Sequence, residues 1–225
     1  MFYDLLGIFF PRLCIGCSQT LLKNEEYICS SCNYHLPVTN YHLQKDNFLE
    51  KIFWGRIKFE HAFSFLYFKK GNITQHLLHE LKYKGNKNLG TFLGSIYAEK
   101  IQQHIGDIDC VVSVPLHKSK LKKRGYNQSD FFASGLSSEL KIENFSGFIH
   151  KKIANETQTK KNRYERWENV ENIFEIKNVD LFRNKHVLLV DDVITTGATI
   201  EACANSLLNI TNCRISVASI AVTMQ

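Results

Sequence analysis

Residues 186–199 read HVLLVDDVITTGAT. Four consecutive apolar residues, Val187, Leu188, Leu189 and Val190, run into Asp191 and Asp192 and then into a small, hydroxyl-rich turn, Thr195-Thr196-Gly197-Ala198-Thr199. An unbroken aliphatic run of this kind suits a strand buried on both faces, as in a parallel sheet. Beyond the turn, Ile200, Cys203, Ala204, Leu207 and Leu208 keep one apolar face at helical spacing. The stretch therefore predicts a strand ending at an acidic pair, then a loop of small residues, then a helix. In open α/β sheets ligands bind beyond the carboxyl ends of the strands, and the backbone N–H groups of a loop entering a helix form a ready anion site.

A phosphate needs several convergent donors. Thr195, Thr196 and Thr199 offer hydroxyls, and Gly197 lets the backbone approach without a Cβ. Asp191 and Asp192 would repel a phosphate, so they suit the hydroxyls of a sugar or a hard cation held by oxygen ligands. Ordinary capping by the threonines is the competing explanation. It does not account for two carboxylates, three threonines and a glycine packed behind one buried strand. A Walker-type loop is excluded, since no lysine follows the glycine. The block resembles the phosphoribosyl pyrophosphate motif of the type I phosphoribosyltransferases. That resemblance implies that Asp191 and Asp192 contact the ribose hydroxyls, that Val190 and Thr195, Thr196, Gly197, Ala198 and Thr199 line the site, with the turn cradling the 5′-phosphate, and that magnesium bridges the pyrophosphate.

Cys14, Cys17, Cys29 and Cys32 form two Cys-x-x-Cys pairs separated by eleven residues, with Gly16 inside the first. Four thiolates at this spacing predict a structural zinc ribbon. A disulfide framework would need an oxidising compartment. The N-terminal MFYDLLGIFFP lacks a basic leading region and is interrupted by Asp4, so it reads as a short packing helix and the protein as cytoplasmic. His35 and His42 lie close by and read as exposed or locally bonded histidines rather than ligands; Cys110, Cys203 and Cys213 read as small buried hydrophobes.

In the middle of the chain, HAFSFLYF at 61–68 predicts an aromatic strand, and Ile73, Leu77, Leu78 and Leu81 one face of a helix stopping at Tyr83-Lys84-Gly85. Leu89, Phe92, Leu93, Ile96, Tyr97, Ile101 and Ile105 predict a second helix of about five turns. DCVVSV at 109–114 is the next buried strand, ended by Pro115. The loop after it, PLHKSKLKKRGYNQSD, carries five positive charges within seven residues, Lys118, Lys120, Lys122, Lys123 and Arg124, and leads into a helix near Ser129. Such a run is ordinarily a solvated face, but here it leaves the same sheet edge as the phosphate-type loop. Gln158, Lys160, Lys161, Arg163, Arg166 and Asn169 form a polar, basic window that reads equally as a flap over an anion or as a solvated helix. The chain closes on a strand at 215–222. Strands and helices alternate, which predicts an α/β fold with a mostly parallel sheet flanked by helices.

With 225 residues, 44% of them hydrophobic and 22% charged, the chain is long enough for one substantial core and a small appendage, divided here as 1–45 and 46–225. A net charge of +6 favours anionic partners without choosing between phosphates and nucleic acid. No stretch reaches the roughly twenty apolar residues of a membrane span.

The tandem cysteine pairs, LKYKG at 81–85, VPLHKSKLKKRGYNQS at 114–129, the Gln158/Arg163/Arg166/Asn169 spacing and VLLVDDVITTGAT together resemble the ComF family over essentially the whole chain. The resemblance implies a zinc ribbon in front of a type I phosphoribosyltransferase-like domain, and a link to natural transformation and the handling of single-stranded DNA. Two functions follow from it. One is a DNA-handling or adaptor protein, with the pocket sensing phosphoribosyl pyrophosphate or a nucleotide, single-stranded DNA on Phe53, Trp54, Arg56, Lys58 and the 122–126 segment, and a DNA-processing helicase docked on the ribbon. The other is a phosphoribosyltransferase, with Asp191 and Asp192 holding the donor and Lys122, Lys123 and Arg124 facing the departing pyrophosphate. No motif names an acceptor for it.

Overall fold

A computed structural model describes residues 11–151 and 173–224. After the cysteine segment, whose second pair enters α1 (Ser30–Tyr34), the chain forms α2 (Phe48–Phe53), β1 (Ala62–Phe68), α3 (Ile73–Tyr83), α4 (Lys87–Ile101), β2 (Cys110–Ser113) and α5 (Lys118–Arg124). It continues through α6 (Gln128–Leu140), β3 (Glu143–Asn144), β4 (Ile149–Lys151), β5 (Phe174–Ile176), β6 (His186–Ile194), α7 (Ala198–Leu208) and β7 (Arg214–Thr223).

Five strands form one sheet in the order β1-β7-β6-β2-β3, every neighbouring pair parallel. β6 lies in the middle, with Val190 opposite Ser113 on one side and Ala218 on the other. The aliphatic run of β6 divides its side chains between the two faces, as strand geometry demands. Leu188 and Val190 join a cluster with Leu81, Leu93, Tyr97 and Phe132 from α3, α4 and α6. Val187 and Leu189 join a second cluster with Phe53 of α2, Ile200 and Leu207 of α7, and the β4–β5 residues Ile149 and Phe174. The first layer is tight because α4 and α6 cross at glycines: a Cβ on Gly94 would collide with the carbonyl of Phe132, and one on Gly135 with that of Thr91.

The edge of β1 is not left open. The Tyr67 N–H donates to the Pro37 carbonyl at 2.8 Å and the Thr39 N–H to that of Phe65 at 3.0 Å, so the connection after the cysteine segment covers it. Cys14, Leu21, Ile28 and Leu36 from that segment belong to the same apolar cluster as α3 and α4. Among the described residues no helix is long and apolar enough to cross a membrane.

Three sequence expectations change. The strand does not end before the acids: β6 runs through Asp191 and Asp192 to Ile194, because β7 continues beside it to pair Val222 with Ile194. The basic stretch is not a loop but the helix α5, capped by the His117 side chain accepting from the Ser119 N–H and closed by Gly125 at φ 78°. The second helix stops at Ile101, short of five turns, although Ile105 stays buried beyond it. The N-terminal helix expected over the first ten residues and the window from Gln158 to Asn169 lie outside the described residues; β4 and β5 pair antiparallel at either end of that window.

Candidate functional site

The carboxyl end of β6 delivers the acids, and the turn after Ile194 enters α7 through Gly197, whose φ of 75° is a left-handed conformation that glycine adopts freely. The space behind Gly197 is full. A Cβ there would stand 2.6 Å from Phe53 Cε1 and 3.0 Å from Ile52 Cγ2. Arg56 fastens the turn from outside: its Nη1 donates to the Thr196 carbonyl at 2.7 Å and to that of Ile52 at 3.0 Å, and its Nε donates to Glu201 of α7 at 3.1 Å. With backbone and floor fixed, Thr195, Thr196, Ala198 and Thr199 remain exposed around a recess of about 40 Å³ lined by Asp191 and residues 193–200. Val190 differs from the other expected site residues. It is fully buried, and its carbonyl accepts from the Val114 N–H at 2.8 Å, so its side chain belongs to the core.

The two acids have different partners. Asp191 Oδ1 accepts from Ser129 Oγ at 3.2 Å and from the Asp192 N–H at 2.8 Å. Asp192 Oδ2 lies 2.9 Å from Lys82 Nζ and 3.9 Å from Arg124 Nη1. Burial, and then the neighbouring charge of Asp192, push the Asp191 carboxyl well above the usual carboxylate range.

Three motifs that are distant in sequence lock together here. The Tyr126 hydroxyl donates to the Leu81 carbonyl, the Arg124 guanidinium sits 5.7 Å from the centre of the Tyr83 ring, and Arg124 Nη1 donates to Gln128 Oε1 at 2.7 Å. LKYKG is thereby the scaffold that brings Lys82 to Asp192. Of the basic trio, Arg124 reaches the acids while Lys122 and Lys123 face solvent on the last turn of α5. Lys82 and Ser129 were not expected as site residues. Nor was Asp130, which accepts from Ser113 Oγ at 2.5 Å and Asn127 Nδ2 at 2.6 Å, and whose carboxyl burial pushes above its ordinary range.

The sequence suggests Phe53, Trp54, Arg56 and Lys58 as a single-strand surface near the ribbon. Phe53 is instead fully buried under the phosphate-type loop, and Arg56 is tied to Thr196 and Glu201. Trp54 and Lys58 are exposed.

The cysteines converge as their spacing requires. The four Sγ atoms of Cys14, Cys17, Cys29 and Cys32 lie within 4.8 Å of one another, and Cys17 Sγ is 3.7 Å from Cys29 Sγ. Tetrahedral zinc with thiolate bonds of ~2.3 Å sets its sulfurs roughly 3.8 Å apart, so the cluster is compatible with structural zinc. The Cys29 N–H donates to Cys14 Sγ at 3.2 Å and the Cys32 N–H to Cys29 Sγ at 3.4 Å. Gly16 makes room: a Cβ there would stand 2.8 Å from Cys32 Sγ and 2.6 Å from Ile73 Cδ1 of α3. His35 bonds locally to the Ser31 carbonyl at 2.8 Å and stands outside the cluster. Cys110, Cys203 and Cys213 are buried.

A family model described as phosphoribosyl transferase domain matches residues 128–224, from the start of α6 to the end of β7. The DNA utilization protein YhgH of Escherichia coli (strain K12) is 27% identical over 202 residues, covering 87% of this chain and 84% of that protein. Competence protein ComFC of Bacillus subtilis (strain 168) is 24% identical over 202 residues, covering 88% and 78%. Competence protein F of Haemophilus influenzae is 34% identical over 94 residues, 41% of each chain. The parallel sheet with its small-residue loop, the four-cysteine cluster ahead of it, and relatives that span most of the chain support a ComF family protein on a type I phosphoribosyltransferase fold.

Proposed function

We propose that this protein handles DNA in the cytoplasm during DNA uptake and natural transformation, and that its pocket binds phosphoribosyl pyrophosphate or a nucleotide. The observation that carries the proposal is the meeting, at one sheet edge, of the Thr195–Thr199 turn, the Asp191/Asp192 pair and the basic helix α5. The relatives named for DNA utilization and competence supply the process. In this account the turn holds the 5′-phosphate on its N–H groups and threonine hydroxyls, and the acids accept from the ribose hydroxyls. Their oxygen donors suit magnesium carried in with a pyrophosphate, whose charge it would offset; Lys82 and Arg124 already balance Asp192. Lys122 and Lys123 on α5 face single-stranded DNA, residues 1–45 form the zinc-stabilised docking module for a DNA-processing helicase, and residues 46–225 form the phosphoribosyltransferase-like domain.

A second reading is favoured by the placement of Arg124 against the acids. A cation there could stabilise a leaving pyrophosphate while the anomeric carbon gains oxocarbenium character, which makes the protein an active phosphoribosyltransferase. Transformation frequency in the native host separates the two. Deletion lowers it on either account of the DNA role, and a deletion without effect contradicts that role. Complementation by an Asp191→Asn, Asp192→Asn variant would show that donor chemistry is dispensable, whereas failure of that variant with pyrophosphate release in vitro would favour the enzyme.

A further inference from the structure

Beside the phosphate-type recess lies a larger one, of about 370 Å³, lined by Phe48, Lys51, Ile52, Arg56, Thr195 and Thr196. Thr195 and Thr196 are common to both, so a group that leaves a loop-bound phosphate on that side enters the larger recess. Its volume is in the range of small-molecule sites, roughly 300–1,000 Å³. The walls have a distinct chemistry. Phe48 and Ile52, one helical turn apart on α2, give an apolar floor. Arg56 is already paired with Glu201 and bonded to the Thr196 carbonyl, so it serves as a wall rather than an open cation. Lys51 is exposed, and its Nζ stands 6.0 Å from the centre of the Trp54 ring, itself 53% exposed. An apolar floor with one surface ammonium and an indole next to it suits a sugar carrying a flat heterocycle better than a further phosphate.

A phosphate monoester held by the loop has nothing to put there. A phosphodiester does, because the second ester oxygen carries the preceding nucleoside. We propose that the loop accepts a phosphodiester, with the nucleoside on its 5′ side seated over Phe48 and Ile52, so that the ligand class extends from phosphoribosyl compounds to dinucleotides and single-stranded oligonucleotides. The inference rests on the Thr195–Thr199 turn being a 5′-phosphate site.

Calorimetric titration of the full chain at 0.15 M salt tests it, with adenosine 5′-monophosphate as monoester and adenylyl-(3′→5′)-adenosine as diester. The diester is expected to bind at least as tightly as the monoester, despite its lower charge. Phe48→Ala is expected to weaken the diester roughly tenfold, the scale of one base-stacking contact, and the surface change Lys51→Glu to weaken it about threefold, the scale of one exposed charge contact. Both are expected to leave the monoester within about twofold, since it does not enter the larger recess. A diester that fails to bind where the monoester binds overturns the inference and leaves the phosphate loop intact. Equal weakening of both ligands by the variants, or no weakening of either, also overturns it. If neither ligand binds the unaltered protein, the phosphate-site reading itself falls and takes the inference with it.

Discussion

Asp191 is a buried carboxyl beside a second carboxylate, and both circumstances raise its pKa above that of the unfolded chain. The folded protein therefore keeps this proton to higher pH. Stability from the held proton is fully present below the unfolded pKa of about 3.9 and is lost as pH rises through the raised folded value. Asp191→Asn keeps the shape and cannot ionise. In the ligand-free protein it is expected to raise Tm at pH 8, by roughly 2–4 °C for each kcal/mol recovered, and the gain should shrink towards pH 4; a gain that grows on acidification contradicts the assignment. Asp192 pairs with Lys82 at 2.9 Å in a site where Asp192 is 8% exposed. Lys82→Met removes that partner and is expected to cost about 1–3 kcal/mol in urea unfolding. Adding Asp192→Asn should return part of the loss, whereas additive losses would show that the two side chains are not coupled. The acids themselves were legible in the sequence because their chemistry is local to one motif. Lys82 was not: LKYKG was visible as a string, but its contact with Asp192 exists only after Tyr126 and Arg124 fasten α3 to the start of α6.

The elements show the same division between local pattern and partner-dependent shape. The two-sided burial of β6 and the helical faces of α3, α4 and α7 follow from apolar spacing alone. The far end of β6 does not, because its length is set by the long, small-residue strand β7 that pairs with it to Val222. The helix α5 buries no side chain, so no apolar period announced it, and only its caps at His117 and Gly125 mark its ends. The cysteine element was legible from spacing, whereas its seat was not. Gly16 against Ile73, and the Tyr27 ring 5.0 Å from that of Phe92, join it to α3 and α4. Because the element shares that apolar cluster, loss of a zinc bound there should be felt beyond it. The purified protein is expected to carry about one zinc per chain by elemental analysis, and chelation should lower the main unfolding Tm. A Tm indifferent to chelation, in protein shown to have lost its zinc, would contradict a structural role.

At the scale of the whole molecule, the strand order β1-β7-β6-β2-β3 with all strands parallel sends every carboxyl end to one edge. The small-residue loop leaves β6 there and the basic helix follows β2, which is how one fold gathers an acidic pair, a hydroxyl-rich turn and a cationic surface. The net charge of +6 is thus concentrated in part where a polyanion would meet the pocket. If α5 faces single-stranded DNA, Lys122→Ala with Lys123→Ala should weaken binding similarly for all sequences and reduce the slope of log K against log salt by about 0.7 for each charge removed. An unchanged slope would move the DNA surface elsewhere. The claim on which the rest depends is that this edge binds a phosphoribosyl ligand. Calorimetric titration of the full chain with phosphoribosyl pyrophosphate and magnesium measures it directly. The unaltered protein is expected to bind saturably, and a folded Asp191→Asn, Asp192→Asn variant to show no binding. Absence of binding to the unaltered protein, or equal binding by the variant, would contradict the account.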